Sequence, residues 1–151
     1  MSIADNAVLN VRLLRADGSA LRPQRLHDAA QAMVDAYAIK AGNLDTPARS
    51  LSGGNMQKLI IARALAAQPR VLVAANPTRG LDIAAAEAVY TALHEALARG
   101  AAVLLISTDL DEIVARAHRI AVLYRGHLSA PLDRPFSVER LGLMLAGSAA
   151  A

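Results

Sequence analysis

A chain of 151 residues that is 54% apolar and 19% charged is long enough for one folded domain and too apolar for a disordered tail. Its 16 Lys and Arg against 13 Asp and Glu leave +3 spread along the chain, and with one Phe, three Tyr and no Trp it is poorly equipped to stack on nucleic-acid bases. Cysteine is absent, which excludes disulfides and thiolate metal sites. The opening "MSIADNAVLN" has no basic region followed by a long apolar core, so no export signal is expected. The longest apolar runs, 101–106 and 119–124, are too short to cross a bilayer.

In chain order, residues 3–10 form a short predicted helix, and "RADGSALRP" is a turn segment broken by Asp17-Gly18 and Pro23. Helical spacing of Leu26, Ala30, Met33, Val34 and Tyr37 predicts a helix from Gln24 to Lys40, followed by the loop "AGNLDTPARS". After "LSGG" a helix is expected over 55–67, ending before Pro69, and "RVLVAA" reads as a fully buried strand. Asp82 caps a predicted helix from Ile83 to Arg99, with Gly100 at its end. "AAVLLIS" is a second buried strand, and Asp109 opens a short helix to about Ala117. "RIAVLYRG" is a third strand and "HLSAP" its returning hairpin arm, while Ser137 caps a last helix to about Ala146. The Ala-rich tail after Gly147 is expected to fray. Strands alternating with helices predict an α/β fold with parallel crossovers. The expected organisation is a helical lobe over 1–67, a partial α/β core over 68–147 and a tail at 148–151.

The most informative stretch is "LSGGNMQK", Leu51 to Lys58. A Ser and two glycines before a helix leave backbone N–H groups free and let an anion approach the helix start. Taken alone, "SGG" reads first as a plain Ser cap with a flexible pair. The context is what changes the reading: one helix later comes a strand leading into "NPT", then "RGLD", then a second strand ending "STD".

That succession resembles the ATP-binding cassette ATPases of ABC transporters. "LSGGNMQK" matches the family's signature motif, "VLVAANPT" its Walker B strand, "RGLD" its D-loop and "LLISTD" its switch strand, and the resemblance runs from about Ile3 to Gly147. "NPTRGLD" and the "AAN" replacement are most similar to the second cassette of double-cassette subunits in nucleoside and simple-sugar importers. The resemblance implies a partial P-loop NTPase cassette: a helical lobe plus a parallel sheet without its P-loop strand, since no G-x-x-x-x-G-K-[ST] occurs in these residues. In the family that strand lies between those matching 102–106 and 119–124, so its absence implies a gap and exposed sheet edges open to homo-oligomer formation.

Three positions depart from the family pattern. Ala75 stands where the family holds Mg²⁺ with Asp, Asn76 where it orients water with Glu, and Thr108 where it has the switch His. Ala offers a metal no ligand, and an amide cannot take a proton from water as a carboxylate does. The isolated chain is therefore expected to be inactive, with no catalytic residue and no metal site of its own.

Family cassettes pair head to tail, the signature of one closing over ATP on the P-loop of the other. The resemblance therefore implies ATP shared with a partner cassette, Mg²⁺ supplied through the partner's site, and binding roles for Leu51, Ser52, Gly53, Gly54, Asn55, Gln57 and Asp82. It also implies permease subunits as partners and a peripheral place on the cytoplasmic face of the inner membrane. The alternative is a structural remnant that binds no nucleotide and only associates with other subunits. A chromosome-maintenance ATPase would need long heptad segments, which are absent. His27, His94, His118 and His127 lack metal-ligand spacing. Arg63 is either a phosphate-steering cation or a solvated one, and Glu112 is a surface helix charge.

Overall fold

A computed structural model describes residues 1–7, 9 and 23–148 of the chain. The predicted Asp17-Gly18 turn, part of the first helix and the tail at 149–151 lie outside the described residues. The chain divides into two compact units, Met1–Leu104 and Leu105–Ala151. The division falls inside a strand.

The first unit opens with α1, Ile3–Ala7. Ser2 and Asp5 close a capping box: the Asp5 N–H donates to Ser2 Oγ and the Ser2 N–H to Asp5 Oδ2, both at 3.0 Å. These bonds from Ser2 hold the Asp5 carboxyl below its ordinary pKa. The N–H groups of Ile3 and Ala4 find the carbonyls of Thr46 and Leu44, so the loop at 44–46 satisfies the helix start.

Helix α2 spans Pro23–Ala36, four residues short of the predicted end. Ala38 takes a left-handed φ of 47°, Ala38 N–H bonds Asp35 O, and Ile39 N–H reaches back to Val34 O at 2.9 Å. This is a Schellman stop with an Ala in the position Gly usually fills, sealed by buried Ile39. Burial pushes the nearby Tyr37 phenol up from its usual value.

A short 3₁₀ turn, Ala48–Ser50, leads into α3, Gly53–Ala66. Leu59 and Ala62 of α3 join Ile3, Ala7, Ala30, Met33, Val34, Ile39, Leu44 and Ala48 in one core. The helix carrying the sequence's central motif is thus held by α1, α2 and the loop between α2 and α3.

Strand β1, Val71–Ala75, and β2, Ala102–Ile106, are joined by α4, Ile83–Ala98, and form a small parallel sheet. The fully buried strands expected here are not found: every second residue of both is exposed, with Val71 at 65%, Val73 at 59% and Leu104 at 55%. Ala102 N–H donates to Arg70 O, which in a parallel ladder sets Val71 beside Ala102 and Val73 beside Leu104. Among the described residues, one face of the sheet is therefore uncovered. Sequence hydrophobicity records that such a strand needs covering on both sides; whether a second cover exists is a property of the whole assembly.

The second unit begins at Leu105 and contains α5, Leu110–Arg116, and α6, Val138–Leu145, with caps at Asp109 and Ser137. Its core is Ile120, Val122 and Leu141, surrounded by Ile113, Val114, Phe136 and Met144. The single third strand predicted over 119–126 is instead two. Strand β3, Arg119–Ile120, pairs antiparallel with β6, Leu132–Asp133, and β4, Leu123–Tyr124, pairs antiparallel with β5, His127–Leu128. The break has a local cause: the Val122 N–H is taken by the Ser129 hydroxyl at 3.0 Å. The predicted hairpin arm is present, turning through Arg125 and Gly126, both at positive φ as a two-residue type I′ turn requires.

Arg134 finishes α5. Its Nε donates to Ala117 O at 2.9 Å and its Nη2 to Val114 O and Ala115 O at 3.0 and 3.1 Å, while the guanidinium lies 5.2 Å from the Phe136 ring centre. Three carbonyls at a helix end share one cation, so Arg134→Ala is expected to destabilise the second unit by about 1–2 kcal/mol. Amide hydrogen exchange over 113–117 checks this: opening there should speed up roughly tenfold or more, and Arg134→Lys should restore only part, since one ammonium cannot span the three carbonyls.

Candidate functional site

The site is built on the start of α3. Ser52 is its N-cap, with extended backbone and its hydroxyl facing the Asn55 N–H. A Cβ added to Gly53 would meet nothing within 4 Å, whereas one on Gly54 would lie 3.2 Å from Ala85 Cβ. The two glycines therefore do different work. Gly53 keeps the motif open to solvent, and Gly54 lets α3 approach the first turn of α4.

Asn55 turns its side chain back onto Ser52 and sideways onto the loop after α2. Its Oδ1 accepts from the Lys40 N–H at 2.8 Å and its Nδ2 donates to Ser52 Oγ at 2.9 Å. Lys58 Nζ donates to Ala38 O at 3.1 Å, a second tie to the same loop. Gln57, one of the expected ligand-binding residues, spends its amide inside the unit: Nε2 donates to Pro77 O at 2.6 Å. Leu51 is half-buried and packs against the core beneath the motif.

Through Gln57 and Gly54 the structure brings α3 against the turn after β1 and the start of α4. Ala75 ends β1 and is exposed; Asn76, at φ 45°, turns the chain, with its carbonyl accepting from the Arg79 N–H. Asn tolerates the left-handed region better than most residues. Asp82 caps α4, its Oδ1 accepting from the Ala85 N–H at 2.7 Å. Asp82→Ala should cost about 1 kcal/mol of stability; a urea titration followed by far-ultraviolet dichroism reads it, and Asp82→Asn should return most of the loss.

Thr108 belongs to the second unit, exposed just before the Asp109 cap. Arg63 points elsewhere than the motif, with Nη1 3.5 Å from Asn6 Oδ1 of α1. His94 rests its Nδ1 3.1 Å from Tyr90 O on its own helix. Among the described residues no group of His, Asp and Glu could hold a metal ion, and no helix is long and apolar enough to cross a membrane. What the sequence reading missed is the use of Asn55 and Gln57 as internal tethers. Their partners lie 15 and 20 residues away, beyond any local pattern.

This arrangement of lobe, motif helix and βαβ sheet is a partial ATP-binding cassette fold. It superimposes on a chain from the structure of an inward-facing conformation of a "putative metal-chelate type ABC transporter" with a TM-score of 0.77, at 21% identity over 97% of this chain and 59% of that one. The ATP-binding cassette MJ0796, in a dimeric post-hydrolysis state with ADP and Pi, matches at a TM-score of 0.73 and 24% identity, over 90% of this chain and 58% of that one.

The chain belongs to the ABC transporter family, whose sequence pattern matches residues 1–79. It is 41% identical over 129 residues to the guanosine import ATP-binding protein NupO of Bacillus subtilis, covering 85% of this chain and 25% of that protein. It is 37% identical over 134 residues to the ribose import ATP-binding protein RbsA 2 of Mesorhizobium japonicum, covering 89% of this chain and 26% of that protein. The chain thus spans about a quarter of the length of these relatives.

Proposed function

We propose that this chain is part of a degenerate ATP-binding cassette of a nucleoside or simple-sugar importer, offering its signature motif to ATP held by a partner cassette without hydrolysing ATP by itself. The observation that carries this is the contrast within one unit: Ser52 and Gly53 stand open at the start of α3, while β1 ends in Ala75 and Asn76. The guanosine and ribose import functions named for its relatives support the solute class.

The residues present fit one side of a phosphate. Ser52 Oγ and the N–H groups of Gly53 and Gly54 would hold the terminal phosphate from across a cassette interface, with Leu51, Asn55 and Gln57 supporting the motif and Asp82 shaping the contact. ATP, when bound, supplies the anion that joins the two cassettes. They do not fit Mg²⁺: Ala75 has no ligand atom and Asn76 offers only an amide, so the ion would be held by the partner. The lobe, with α2 at its edge, would meet permease subunits at the cytoplasmic face of the inner membrane.

The test is sedimentation of the 151-residue chain with a complete, P-loop-bearing ABC cassette, with and without MgATP. MgATP-dependent pairing that Ser52→Ala weakens about tenfold, roughly the value of a charge-assisted hydrogen bond, is expected. Pairing indifferent to MgATP would overturn this reading in favour of a remnant that only associates.

A further inference from the structure

We infer that Asn55 is a positioning residue that sets the polarity of the Ser52 hydroxyl, making it a donor toward the bound anion; this rests on the function proposed above. The argument is a chain of obligatory hydrogen-bond roles. A backbone N–H can only donate, so the Asn55 atom 2.8 Å from Lys40 N is its carbonyl oxygen. The other end of the amide is then NH₂, which also only donates, and it lies 2.9 Å from Ser52 Oγ. Ser52 Oγ also faces the Asn55 N–H, at 3.5 Å. With two donors aimed at its lone pairs, the hydroxyl keeps one role, that of donor.

The orientation of a side-chain amide is ordinarily ambiguous. Here the Lys40 N–H removes the ambiguity from outside the motif. The loop at 38–41 is itself fixed by the Schellman stop at Ala38 and by Lys58 Nζ on Ala38 O. A hydroxyl without these constraints would accept as readily as donate. Oriented this way it meets an anion as a donor without first giving up another partner.

Three variants separate the possibilities. Asn55→Ala frees the hydroxyl and releases Lys40. Asn55→Asp keeps the acceptor for Lys40 but presents a second acceptor to Ser52, which must then turn its hydrogen inward. Ser52→Ala removes the group through which Asn55 is argued to act.

Pairing of the full chain with a complete P-loop-bearing cassette in MgATP is measured for each, and for Asn55→Ala in the Ser52→Ala background. Asn55→Ala should weaken pairing about fivefold and Asn55→Asp more. In the Ser52→Ala background Asn55→Ala should add nothing, since coupled residues are not additive. Exchange of the Lys40 amide should quicken in Asn55→Ala and stay slow in Asn55→Asp, showing that the fold around the loop is retained in the variant with the larger pairing loss.

Equal weakening by Asn55→Ala with and without Ser52 would overturn the inference while leaving the proposed function standing. So would pairing unchanged in Asn55→Asp. Absence of MgATP-dependent pairing in the unaltered chain overturns both.

Discussion

The chain is expected to self-associate through its exposed sheet face, and charging that face with Val73→Glu and Leu104→Lys is expected to leave it predominantly monomeric. Val73 is 59% and Leu104 55% exposed, on a face they share with Val71 and Ala102. An apolar stripe of this kind on a regular sheet favours contact with another copy. Burying a Val or Leu side chain fully is worth about 1.5–3 kcal/mol. Covering the exposed half of two such side chains in each contact is worth about 2 kcal/mol, or roughly thirtyfold in the association constant. Because neighbouring opposite charges suit parallel strands, the pair should do little harm to the β1–β2 ladder. Analytical ultracentrifugation over a concentration series gives the answer. An unaltered chain that stays monomeric at high concentration and melts in one sharp transition would contradict the expectation.

The largest loss of stability is expected from Leu59→Ala on the signature helix, about 3 kcal/mol. Leu59 is 2% exposed and sits in the cluster that joins α3 to α1, α2 and the loop at 44–48. Truncation removes the apolar group and leaves a cavity among neighbours that are held by backbone bonds and cannot collapse onto it. Total stabilities of small domains are only about 5–15 kcal/mol, so this single change should remove about a fifth to three fifths of the total. Its neighbour Ile60, 42% exposed, provides the control, since Ile60→Ala should change stability by no more than about 0.5 kcal/mol. Urea midpoints followed by dichroism at the helix band distinguish them. Amide exchange should show the loss confined to the first unit and the strand paired with it, residues 1–106, with 107–148 keeping their protection, as expected of two separate compact units. Equal effects of the two substitutions would mean that α3 does not pack as described.

Sequence reading succeeded where structure is written locally. Ser52, Asp82, Asp109 and Ser137 each accept from a backbone N–H three residues on, as their spacing from the following apolar residues predicts. The returning arm at 127–131 was equally legible, although Arg125 and Gly126, expected to continue the strand, form the turn instead. The misplaced end of α2 shows the limit: nothing marks Ala38 as a left-handed residue, and the helix stops there because buried Ile39 fixes where the chain must go. The split of the third strand depends on Ser129, seven residues beyond Val122, which competes for a ladder hydrogen bond only once the hairpin has closed.

For the site, the residues of the Ser-Gly-Gly motif, the presence of Ala75 and Asn76 at the end of the first strand, and the order of the elements follow from the sequence by itself, because each is a matter of identity and spacing along one chain. The tertiary structure decided which polar groups of the motif are spent internally and which face outward. Gln57 is committed to Pro77, Asn55 to Lys40 and Ser52, and Gly54 to the packing of α4, while Gly53 is open and the Ser52 hydroxyl, already accepting from Asn55, keeps only its donor role. The physical reason is the short range and strict direction of the hydrogen bond: a side chain's role depends on which donor or acceptor folding brings within about 3 Å of it.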